Sequence, residues 1–105
     1  MKIPASLRIN GIDFMVIETP GLNDKESVLY GFVDHGMAEI RINSNNQTHQ
    51  RKCATLWHEA FHAVCEMNCI DLGDQKEKII DTFAFAVNQI LQDNGKNLFD
   101  IRSEV

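Results

Sequence analysis

The apolar residues of this 105-residue chain change their period near its midpoint, and that change restricts the fold more than any other feature. Up to about residue 43 they alternate. Ala38, Ile40 and Ile42 are separated by Glu39, Arg41 and Asn43, the pattern of a strand with one buried and one wetted face. Leu7-Arg8-Ile9, then Asn10-Gly11, then Ile12 to Ile17 reads as a hairpin, because Asn-Gly accepts the positive φ angles of a type I′ turn. Pro20-Gly21 closes that region, and Tyr30 to Asp34 with Met37 to Asn43 reads as a second hairpin turning at His35-Gly36.

Beyond that point the period becomes helical. One helix is predicted from Thr48, a suitable N-cap, to about Met67. A second is predicted from about Gln75 to Asn94, with Gly95 as its C′ residue. The tail from Lys96 to Val105 has no clear period, although Leu98, Phe99 and Ile101 are candidates to pack back onto the body. Strands followed by helices give an α+β expectation: one domain over residues 1–105, with a small antiparallel sheet of about three strands packed on two helices.

Composition removes several function classes. The net charge is -5, and the basic residues form no cluster beyond Arg51-Lys52, so neither nucleic acid nor an anionic membrane is an expected direct partner. No apolar run approaches the roughly 20 residues that span a bilayer. Met1-Lys2-Ile3-Pro4 leads into alternating sequence without the apolar core of a signal peptide, so a cytoplasmic location is expected. Cys53, Cys65 and Cys69 are odd in number and form no CxxC pair, which fits free thiols in a reducing compartment. Nothing in the sequence speaks to oligomeric state.

The chemistry is concentrated on the first predicted helix. Leu56, Trp57, Ala60, Ala63, Val64 and Met67 fall on one arc, and His58 and His62 fall nearly opposite, one turn apart. Arg51, Thr55 and Cys65 share the histidine side. At i and i+4 both imidazoles can reach one ion at the ~2.0–2.1 Å of a zinc–nitrogen bond. Glu59 projects beside the pair, where a carboxylate can act as general base on an activated water. His58-Glu59-Ala60-Phe61-His62 is therefore an HExxH motif with the mechanics of a zinc peptidase, Zn2+ being the expected cofactor.

A catalytic zinc takes three protein ligands. On the second helix Ile79, Ile80, Phe83, Ala86, Val87, Ile90 and Leu91 form the expected core arc, with Glu77, Asp81, Ala84 and Asn88 along its edge. Glu77 is a candidate third ligand, or the last member of a capping box begun by Asp74. Asp81 either orients a ligating histidine by hydrogen bonding its far nitrogen or is a solvated helix residue; the two acids could also exchange roles. Cys65 is a rival ligand that would close a structural site, against its reading as a small buried thiol. Tyr30, His35, His49 and Arg51 are candidates for stabilising an oxyanion.

Thr55-Leu56-Trp57-His58-Glu59-Ala60-Phe61-His62, followed by Glu77-Lys78-Ile79-Ile80-Asp81-Thr82-Phe83-Ala84, resembles the ImmA/IrrE family of zincin metallopeptidases, over roughly residues 28 to 94. The resemblance implies that His58 and His62 are zinc ligands, Glu59 the catalytic base and Glu77 the third ligand, with Asp81 placed to support a ligand. It also implies that Ile40-Arg41-Ile42-Asn43 lines a groove where an extended peptide adds by main-chain pairing. The expected activity is zinc-dependent hydrolysis of peptide bonds in a protein or peptide substrate, such as a regulator linked to a phage or mobile element. The alternative is a non-catalytic zinc-binding interaction module of the same fold. The chain departs from the family in a shorter interval between His62 and Glu77 and in Gln92-Asp93-Asn94-Gly95 where a proline often ends the second helix, and the DNA-binding or sensor domain that members often carry is not expected within these 105 residues.

Overall fold

Asn10 and Gly11 both take positive φ, 48° and 82°, and turn Ser6–Ile9 (β1) back onto Ile12–Thr19 (β2). The computed structural model describes residues 2–100. In it a second antiparallel hairpin joins Gly31–Asp34 (β3) to Glu39–Asn43 (β4). Its turn occupies residues 35–38 and is wider than the His35-Gly36 turn the sequence suggested. Ala38 is left-handed at φ 53°, and the Asp34 carboxylate accepts the Met37 amide at 3.0 Å.

The two hairpins join through β2 and β4, which pair in parallel, so the strand order is β1-β2-β4-β3. The sheet is therefore four-stranded and mixed, not antiparallel with about three strands. A parallel neighbour ordinarily needs a crossover connection. Here β3 supplies it: the chain leaves β2, passes the slot beside it, runs back as β3 and then fills the slot with β4. Alternation within each strand is the same for either arrangement, which is why the sequence did not distinguish them.

β4 is consequently interior, with Ile40 and Ile42 both fully buried. Asn43, expected on a wetted face, is fully buried as well. Its amide nitrogen donates to the Leu22 and Leu29 carbonyls at 3.2 and 2.9 Å, pinning the connection that leads into β3.

His49–Met67 (α1) begins at the Thr48 N-cap, whose hydroxyl accepts the Arg51 amide at 3.1 Å. Leu56, Ala60 and Ala63 enter the core against Phe14, Val33, Ile40 and Ile42, with Trp57, Val64 and Met67 packed around them. After a 3-10 turn at Gly73–Gln75, Lys76–Asp100 (α2) packs on the other side of α1 and makes no contact with the strands among the described residues. The layers run sheet, α1, α2.

Because α2 has one neighbour, its buried stripe is narrow. Ile80, Ala84 and Asn88 are buried, whereas Phe83 and Ile90 of the expected core arc are 59% and 51% exposed. The Glu77–Asp81–Ala84–Asn88 line, expected at the edge of that arc, instead runs along the side of α2 that meets α1. Gly95 does not end the helix, which continues to Asp100. The packing suggested for Leu98, Phe99 and Ile101 falls on side chains beyond those described, which end at Gly95, and on residue 101, outside the described residues. Among the described residues no helix is long and apolar enough to cross a membrane.

Candidate metal centre

His58 and His62 leave α1 on one side, and Glu77 reaches them from the first turn of α2. Nε2 of His58 and Nε2 of His62 are 3.1 Å apart. Glu77 places Oε1 3.2 Å from the His62 Nε2 and Oε2 3.3 Å from the His58 Nε2. Two atoms bound to one tetrahedral ion at ~2.0–2.1 Å lie about 3.3 Å apart. The separations have that size, those to Glu77 ending on its two different carboxylate oxygens, so two imidazoles and one carboxylate are close enough to share a metal ion. Among the described residues, His58, His62 and Glu77 form the group of histidine, cysteine and carboxylate side chains close enough to share one.

Asp81 decides the tautomer of His58. Its Oδ1 lies 2.7 Å from Nδ1, which therefore carries the proton and donates it, leaving a lone pair on Nε2 toward His62 and Glu77. Asp81 and Glu77 thus keep separate tasks. Glu77 does not serve the helix start, because its carboxylate is turned to the histidines. Cys65 stands outside the group. Cys69 is exposed at φ 54° in the turn after α1.

Glu59 is buried, and its Oε2 is 3.9 Å from the His58 Nε2, beyond the spacing of the three donors and suited to a group one water away. Desolvation is the largest influence on its carboxyl and pushes it up to about 7; His58 acts downward, and Glu77 and Asp81 upward. Burial likewise lowers His62, against the pull of the Glu77 carboxylate.

Sheet and helix approach each other closely at Gly31. A Cβ there would lie 2.6 Å from the Thr55 Cγ2 and 3.0 Å from the Glu59 Cγ, so glycine lets β3 pass directly beside Glu59. Thr55 donates to the Gln47 Oε1 at 2.8 Å, and the Gln47 amide donates to the Tyr30 and Asn43 carbonyls at 2.9 and 2.8 Å. This polar strap ties α1 to the start of β3. A lone glycine opening a strand was the one signal that could have flagged the approach; nothing local announces Gln47 or Asn43.

A cavity of about 510 Å³ opens between β3, α1 and α2, with His58, Glu59, His62 and Glu77 in its wall. β3, the outer strand, flanks it. The Ile40–Asn43 segment of β4 is paired on both edges and is not a place for a peptide to add. Of the four candidates for oxyanion contact, Tyr30, His35 and Arg51 line the cavity, whereas His49 sits against the Cys53 sulfur at 3.7 Å. Comparison with family models, with curated proteins and with solved structures finds no match for the chain.

Proposed function

We propose that this chain is a zinc-dependent metalloendopeptidase of the ImmA/IrrE kind. The observation that carries the reading is the convergence of the His58 and His62 Nε2 atoms, 3.1 Å apart, on the Glu77 carboxylate, whose Oε1 lies 3.2 Å from His62 and whose Oε2 lies 3.3 Å from His58, with Glu59 just outside the group. Two imidazoles and one carboxylate are the ligand set of a catalytic zinc, which leaves a position open. His58 and His62 would hold the ion through Nε2 and Glu77 through a carboxylate oxygen. When bound, zinc supplies Lewis acidity, lowering the pKa of a water and polarising a carbonyl.

The protein's own groups do the rest. Glu59 takes the proton of the attacking water and delivers it to the leaving amine, and its desolvated carboxyl has the raised basicity that suits this work near neutral pH. Asp81 holds the His58 ring in one tautomer and orientation. The free edge of β3 offers main-chain donors and acceptors to an extended peptide, laying it across the cavity beside Glu59. A cytoplasmic regulator encoded with a phage or mobile element is the substrate class that the resemblance supports.

Elemental analysis of protein purified without chelator or a metal-binding tag tests the site. About one zinc per chain is expected, sharply reduced by Glu77→Ala. Equal occupancy in both proteins would remove Glu77 from the ligand set. Glu59→Gln is expected to keep zinc and abolish cleavage in a proteome-derived peptide library. Zinc without cleavage in the wild type would favour a non-catalytic binding module.

A further inference from the structure

Arg51 lies in the first turn of α1, seven residues before His58 on the same side of the helix. At 1.5 Å per residue the two positions are about 10 Å apart along the axis. The guanidinium lies over the Tyr30 ring at 4.5 Å and within 5.4 Å of the Phe85 ring centroid. Residues from the β3 approach, α1 and α2 thus fix one side chain at the cavity, and Arg51 is the one lysine or arginine among its described lining residues.

The charge is positioned but not neutralised. None of the ion pairs among the described residues includes Arg51. Of the carboxylates along the cavity, Glu59 is buried beside His58, and the other three are engaged elsewhere. Asp24 accepts the amides of Glu26 and Ser27, both at 2.8 Å. Glu77 and Asp81 face the histidines. Neighbouring Lys52 is paired with Glu18 at 2.9 Å. Stacking on rings occupies the faces of a guanidinium and leaves its N–H edge for a planar, bidentate partner.

We propose that Arg51 is a specificity-determining residue that receives a carboxylate of the bound peptide about three residues from the bond over Glu59. The spacing follows from the ~3.3 Å advance per residue of an extended chain against the ~10 Å between Arg51 and His58. The carboxylate belongs either to an acidic side chain or to the peptide's C-terminus. This deepens the peptidase reading and rests on it for the position of the scissile bond.

Three fluorescein-labelled decapeptides test it by fluorescence anisotropy on zinc-supplemented protein: one with a single central Glu and an amidated end, one with Gln in its place, and the Gln peptide with a free C-terminal carboxylate. The Glu peptide or the free-acid peptide is expected to bind wild type about tenfold more tightly than the neutral one. Arg51→Gln is expected to bring that ratio to about one, and Arg51→Lys to retain several-fold, with thermal unfolding showing all three proteins folded. Which peptide gains identifies the source of the carboxylate. Equal binding of all three by wild type, no binding of any, or a preference that survives Arg51→Gln overturns the proposal. Zinc content and library cleavage are read on the same samples. Full zinc and cleavage without carboxylate preference would sink the Arg51 assignment alone. An Arg51-dependent preference without zinc or cleavage would sink the peptidase reading and keep the carboxylate site.

Discussion

Nδ1 of His58 and Oδ1 of Asp81 lie 2.7 Å apart, a hydrogen bond joining the two helices behind the donor group. Asp81 touches no other member of that group, so its influence on a bound ion passes through the imidazole. Removing such a partner typically costs 10–100-fold in metal affinity. Asp81→Ala is expected to weaken zinc binding by about that factor, with Asp81→Asn intermediate because its carbonyl still accepts from Nδ1. Competition against a chromophoric chelator measures it. Unchanged affinity in Asp81→Ala would leave the contact without a role in the site.

Glu59 gives the metal-free protein a distinctive pH dependence. Its carboxyl is raised from 4.5 to about 7 by burial, so the folded state keeps a proton that the unfolded chain has already released. Between those values the folded state binds more protons, and its stability falls as pH rises. The full effect is on the order of 3 kcal/mol, present as a penalty above pH 7 and absent below 4.5. His62 acts in the opposite sense: its lowered pKa means that stability rises with pH until about 6.5. Comparing wild type with Glu59→Gln separates the two, because His62 is common to both. In chelator, urea titrations from pH 5 to 8 are expected to show the variant gaining on the wild type as pH rises. Parallel profiles would mean that Glu59 is not desolvated.

Gly31 sets the distance between the edge strand and the base. Adding one methyl brings carbon to 2.6 Å from the Thr55 Cγ2, and Thr55 is itself held by Gln47. The strand must move outward. Overpacking of this kind costs roughly 1–3 kcal/mol. Gly31→Ala is expected to lose that much stability in urea and to cleave peptides poorly while keeping its zinc, since none of the three donors is on β3. Loss of zinc in step with cleavage would show that the strand supports the metal site itself.

The helices were legible because their signals are local. Thr48 caps α1 as its residue type suggests, and i, i+4 spacing alone puts His58 and His62 on one side. Glu77 and Asp81 could be named from the same periodicity. Their division of labour could not, because it depends on where α2 lies along α1. The sheet was readable as hairpins but not as a whole, since the β2–β4 pairing joins residues more than twenty positions apart. The α2 core arc was misread for a related reason. Periodicity reports which face is apolar, and Phe83 and Ile90 are apolar, but burial depends on how many elements arrive to cover them. Asn43 shows the converse, a polar residue made buriable by carbonyls supplied from another part of the chain.

The turn between the helices contains a correctable strain. Cys69 is left-handed at φ 54°, its amide donates to the Glu66 carbonyl at 3.3 Å, and the Ile70 amide donates to the Cys65 carbonyl at 2.9 Å. With Asn68 as C-cap, these two bonds make a Schellman motif in which Cys69 holds the C′ position normally taken by glycine. A side chain there meets the carbonyl crowding that makes left-handed backbone cost ~1–2 kcal/mol for L-residues. Glycine relieves it but adds freedom to the unfolded chain, offsetting part of the gain. Cys69→Gly is therefore expected to stabilise the protein by about 0.5–1 kcal/mol, read as a higher urea midpoint at unchanged slope. Because Cys69 lies outside the donor group, zinc content should not change. A lower midpoint would mean that the thiol contributes packing that its exposure does not suggest, and a loss of zinc would return the cysteines to consideration as ligands.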